Sequence, residues 1–134
     1  MYAYMVMRAL TLCAALCAMH HASAEPEVRW DCAVHIDPRT QFASGAISLR
    51  VDSRRFLLTD RPLAACYVLP KSHYQMYEVP SNAITACIDG FGPSSEEFYV
   101  VRRARTLLVF HRIRNDSDTA TPRYRIIKRI SLPP

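Results

Sequence analysis

Glycine is scarce in this chain: three residues in 134, at Gly45, Gly90 and Gly92. A glycine-rich phosphate loop and the dinucleotide fingerprint both need several glycines so that backbone N–H groups can approach a phosphate, so both are excluded. No apolar run reaches the roughly 18 residues that a membrane-spanning helix needs. After position 24, no window of about a dozen residues carries a helical stripe. No G-x-S-x-G nucleophile motif is present. Lysine is also rare, with 2 Lys against 15 Arg. With 50% hydrophobic and 22% charged residues, the composition excludes collagen-like, disordered and coiled-coil classes.

The N-terminus reads as an address. Arg8 precedes the apolar run Ala9–Met19, and Ala22-Ser23-Ala24 follows, ahead of Glu25-Pro26. A basic residue, a short apolar segment and an A-x-A site predict a secretory signal peptide over residues 1–24, cleaved after Ala24. Met7 is an alternative start. Cys13 and Cys17 each follow a leucine, where a bacterial lipoprotein site takes a small residue, so lipid attachment is not expected. The expectation is an exported, periplasmic or extracellular protein whose mature part is one domain, 25–134. Export to an oxidising compartment favours one disulfide among Cys32, Cys66 and Cys87. Cys66 and Cys87 lie on neighbouring short apolar segments, so they are the expected pair, with Cys32 a buried thiol; Cys32 in place of either partner is the alternative.

The mature chain reads as strands. Val28, Trp30, Cys32, Val34 and Ile36 alternate with Arg29, Asp31, Ala33, His35 and Asp37, the period-two pattern of a half-buried strand. Ile47, Leu49 and Val51 alternate in the same way, and Asp52-Ser53-Arg54 reads as a turn into Arg55–Thr59. Leu63–Leu69, His73–Val79 and Ala83–Ile88 read as three further short strands. Phe98–Val101 and Thr106–Ile113 form a hairpin around Arg102–Arg105, Asn115–Pro122 is a polar loop, and Tyr124–Leu132 closes the chain. Seven to nine short strands with no helix predict an all-β fold, a single small antiparallel sandwich or barrel.

Charge is unevenly placed. From Glu25 to Glu97 there are 7 basic and 10 acidic residues; from Phe98 to Pro134 there are 9 basic and 2 acidic. The planar guanidinium fork suits carboxylate and phosphate groups. The candidate binding set is therefore Arg102, Arg103 and Arg105 at the hairpin turn with Arg112, Arg114, Arg125 and Arg129 on adjoining strands. Two ordinary explanations compete. Solvent-facing strand positions must be polar, and these arginines could neutralise the acidic first part within the fold. The parity of Phe98, Tyr99, Phe110 and Tyr124 assigns those rings to a core, so a base-stacking nucleic-acid surface is not expected.

Little else carries chemistry. After cleavage only His35, His73 and His111 remain, each on a separate segment and without metal-ligand spacing, so neither a metal nor a cofactor is expected. Glu96-Glu97 and the pair Asp116 and Asp118 fall in polar connecting stretches and read as solvated charge. Asn115-Asp116-Ser117 has N-glycosylation spacing. The outline of a signal peptide, a Trp30-x-Cys32 first strand and a short β domain with one disulfide resembles small periplasmic β-barrel inhibitors of the lysozyme-inhibitor type. That likeness is architectural and carries no functional residue over. The expected function is a small exported binding or inhibitory domain facing an acidic protein, polysaccharide or lipid surface, with no catalytic residue assigned. The alternative is a cell-envelope hydrolase that gathers two histidines with a carboxylate in a cleft.

Overall fold

A computed structural model describes residues 25–61, 66–89, 94–115 and 123–134. The expected leader and the 116–122 loop, with Asp116 and Asp118, lie outside the described residues. Eight strands are present: β1 Val28–Ile36, β2 Ala43–Val51, β3 Arg54–Arg61, β4 Cys66–Val68, β5 Thr85–Asp89, β6 Ser94–Arg103, β7 Thr106–Asn115 and β8 Arg125–Ser131. They form two antiparallel sheets in simple chain order, β1-β2-β3 and β4-β5-β6-β7-β8. The all-β antiparallel expectation holds, as a two-sheet sandwich.

The alternation of β1 and β2 decides how the sheets face each other. Val28, Trp30 and Cys32 share a side with Ile47, Leu49 and Val51, and that side turns toward Phe98, Val100, Leu107, Val109 and Ile130 of the larger sheet. Each such side chain taken fully out of water contributes about 1.5–3 kcal/mol. Trp30 sits at the centre. Its indole Nε1 donates to Thr85 Oγ1 at 2.8 Å, and its ring centroid lies 5.9 Å from that of Phe98. The polar end of the indole is thereby satisfied inside an apolar layer.

The outer face of the larger sheet is also covered, and here the sequence expectation is corrected. Residues 73–79 are not a strand. Lys71–His73 forms one 3-10 turn, followed by further turns to Glu78, whose φ is 57°. Pro70 and Pro80 bracket the segment and supply no N–H for a ladder. What holds it is a pair of anchors. Tyr74 and Val79, tied by the Val79 N–H to Tyr74 C=O bond at 2.9 Å, are both buried against Tyr99, Val101 and Ala86. A sheet buried on both faces explains why Phe98–Val101 and Leu107–Phe110 are continuously apolar rather than alternating. Two boundaries also shift. Only Cys66–Val68 of the expected Leu63–Leu69 strand is a strand among the described residues, and β6 begins at Ser94, which draws Glu96 and Glu97 into the sheet.

Candidate anion-binding surface

β6 and β7 pair so that Glu97 stands directly opposite Arg112, on the outer face. Both side chains are 1% exposed, which corrects the reading of Glu96-Glu97 as solvated charge. An ion pair this deep is tolerated only when every remaining donor and acceptor finds a partner. Each Arg112 nitrogen meets that condition, whereas Glu97 Oε1 accepts no hydrogen bond and faces only the Arg114 charge. Arg112 Nε donates to Glu97 Oε2 at 2.5 Å, Nη1 to Glu78 Oε2 at 2.9 Å and Nη2 to the Tyr77 carbonyl at 2.7 Å. Its guanidinium also lies 4.3 Å from the centre of the Tyr124 ring. The Tyr124 hydroxyl is 3.0 Å from the Tyr77 carbonyl and 3.2 Å from Glu97 Oε2, so one proton serves either acceptor. Arg114 Nε lies 3.1 Å from Glu97 Oε1, with its guanidinium 5.5 Å from the Tyr77 ring. Together these groups clamp the 70–84 segment onto the sheet.

The electrostatics follow from the geometry. Burial by itself disfavours a charged Arg112, but the Glu97 hydrogen bond, the Tyr124 phenol and Glu78 outweigh it, and the pKa moves up. Burial, then the Glu97 charge, pushes the Tyr124 phenol well above its ordinary value. Tyr74 and Tyr99 move the same way, each chiefly through burial. The unfolded chain therefore releases these protons first, near the ordinary tyrosine value of about 10. Stability is complete below that pH and falls as the pH rises above it. The urea midpoint is expected to drop steeply between about pH 10 and pH 12, and less steeply in Tyr124→Phe, which a pH series of denaturation curves checks. Equal slopes in the two proteins would show that Tyr124 ionises freely in the fold.

The remaining arginines divide cleanly. Arg102 is held internally: Nη1 is 2.8 Å from Glu25 Oε2, and Nε donates to the Ala104 carbonyl at 2.9 Å. That second bond braces a turn in which Ala104 has a φ of 53°, a left-handed conformation that disfavours a side chain with a Cβ. Arg103, Arg105, Arg125 and Arg129 are exposed, as is Arg123 just ahead of β8. Among the described residues, none of these five guanidinium groups makes a hydrogen bond or ion pair.

So the structure does not gather the seven candidates into one patch. Arg102, Arg112 and Arg114 are turned inward, and Arg103, Arg105, Arg123, Arg125 and Arg129 lie in two groups along the β7–β8 edge of the larger sheet. Arg103, Arg105 and Arg129 lie toward the β6–β7 turn, where the Leu132 N–H bonds the Arg105 carbonyl at 2.7 Å. Arg123 and Arg125 lie toward the other end of β8, about 17 Å away at some 3.4 Å per residue. There, His111, Arg112, Ile113, Arg123 and Arg125 line a notch of about 180 Å³.

The histidines do not converge. His35 and His73 are exposed on β1 and on the 3-10 turn, and among the described residues only His111 approaches a carboxylate, with Nε2 3.6 Å from Glu96 Oε1. Among the described residues no group of three His, Cys, Asp or Glu side chains is placed to hold a metal ion. No described helix is long and apolar enough to cross a membrane. Cys66 and Cys87 are paired across β4 and β5, with Cα atoms 5.8 Å apart. Among the described residues Cys32 is the free thiol, half-buried against that bridge rather than fully enclosed, and burial raises its pKa.

The clamp escaped the sequence analysis, although one signal pointed to it. Glu97 shares parity with Tyr99 and Val101, and Arg112 with Phe110 and Leu108, so each is a charge placed on a buried row. No family model, no curated protein and no solved structure matches this chain.

Proposed function

We propose that this protein is a small exported binding or inhibitory domain that engages an anionic partner through Arg103, Arg105, Arg123, Arg125 and Arg129. One observation supports the reading: these five guanidinium groups stand exposed with no carboxylate partner among the described residues, while Arg102, Arg112 and Arg114 are each paired with one. Like charges on adjoining strands repel one another. A fold that needed them only for solubility could interleave acidic residues, yet the described part of the chain from Phe98 onward contains none.

The test is retention of the protein on immobilised polyglutamate, on an anionic polysaccharide and on vesicles rich in anionic lipid, each across a salt series. Retention on one of the three is expected at low salt, declining as exposed charges are screened within about 8 Å at physiological ionic strength. Exposed ion pairs are worth about 0.2–1 kcal/mol each. Changing all five arginines to glutamine is therefore expected to weaken binding at least about fivefold, with the fold retained. Retention that is indifferent to salt, or unchanged in the five-fold variant, overturns the proposal.

A further inference from the structure

We propose that the notch at the start of β8 is a subsite for one tetrahedral oxyanion, a phosphate or sulfate group, held by Arg123, Arg125 and His111. The inference rests on the anionic-partner reading and narrows it to one place and one chemistry. His111 and Arg125 are direct cross-strand partners, so their side chains rise from the same face of the sheet. Arg123 is two residues before Arg125 and follows the same alternation. Three nitrogen-bearing side chains thus line one concavity of about 180 Å³, with Ile113 as its apolar wall.

The donor set selects the ligand. A planar carboxylate is satisfied by one guanidinium fork, whereas a tetrahedral anion can accept from three directions at once. Arg112 also borders the notch, but its side chain is 1% exposed and each of its three guanidinium nitrogens already donates, to Glu97, Glu78 or Tyr77, so the work falls to the other three. His111 is placed to take part. Its ring stacks 4.7 Å from that of Phe98, and its buried Nε2 lies 3.6 Å from Glu96 Oε1, which fixes the ring and leaves Nδ1 as the nitrogen to serve the notch. Arg103 and Arg105, by contrast, are exposed at the β6–β7 turn, outside the notch, and serve as the internal comparison.

The experiment titrates the full mature chain with inorganic phosphate, sodium sulfate and sodium acetate at constant ionic strength, following the arginine Nε–H and histidine ring signals by NMR. Saturable shifts are expected at His111, Arg123 and Arg125 with phosphate or sulfate, and the stronger of the two separates a phosphorylated from a sulfated ligand. Acetate is expected to bind at least fivefold more weakly. Arg123→Gln with Arg125→Gln should abolish saturation while leaving the Arg103 and Arg105 signals in place. Shifts spread evenly over Arg103, Arg105 and the notch, or acetate binding equal to phosphate, overturn the subsite. If the polyanion retention of the preceding section persists in that event, the anionic-partner reading survives and only the notch assignment falls.

Discussion

Glu97→Ala is expected to destabilise the protein by about 3–5 kcal/mol, because it removes the buried partner of the Arg112 guanidinium and leaves only the exposed Glu78 carboxylate to balance it. Total stabilities of domains this size are about 5–15 kcal/mol, so the variant should lie close to the limit of folding at 37 °C. Solvent does not soften the effect, since both side chains are 1% exposed. The loss should extend beyond the pair. Arg112 also holds the Tyr77 carbonyl and the Glu78 carboxylate, so amide protection in the 70–84 segment should fall before that of β6 and β7. Replacing both members with apolar residues, Glu97→Leu with Arg112→Met, is expected to recover most of the loss, because removing a buried pair entirely is often neutral or better. Chemical denaturation of the single and double variants checks the set. A Glu97→Ala protein within 1 kcal/mol of wild type would mean that water reaches Arg112.

The second large effect belongs to the disulfide. Cys66 and Cys87 are 21 residues apart, and opening a loop of that length costs about 3 kcal/mol in the chain-entropy account. The Cys66→Ala, Cys87→Ala protein should therefore unfold at markedly lower denaturant, with a slope no shallower than wild type because its unfolded chain is less compact. Cys32→Ser should cost far less, since that thiol is only half-buried. Burial also raises the Cys32 pKa, so its alkylation at neutral pH should be slow compared with an exposed thiol. Peptide mapping without reduction is expected to find Cys66 joined to Cys87; a bridge containing Cys32 would contradict the arrangement.

How much of this was legible beforehand differs by element. β1 and β2 could be read directly, because one face meets the core and the other meets water, and alternation reports that geometry. The β6–β7 pair was legible as strands but not as a doubly buried layer, since the segment that covers it is far away in sequence. That same segment, 73–79, was misread for a related reason. Tyr74, Tyr77 and Val79 are apolar, as a strand would have them, yet between Pro70 and Pro80 they anchor a run of turns. Proximity along the chain favoured Cys66 with Cys87 but left Cys32 open as a replacement, and the fold pairs the first two across β4 and β5. The division of the arginines could not be foreseen. Arg112 and Arg125 look alike in the sequence, and only the partners brought by the fold, Glu97, Glu78 and the Tyr77 carbonyl for one and none among the described residues for the other, separate them.

That division is the centre of the account, and arginine-selective dicarbonyl labelling read by mass spectrometry tests it most directly. Labelling should be fast at Arg103, Arg105, Arg123, Arg125 and Arg129, slow at Arg102 and Arg114, and slowest at Arg112. Adding the polyanion that retains the protein should protect the first five and leave the others unchanged. Fast labelling of Arg112, or a polyanion that protects none of the five exposed arginines, would contradict it.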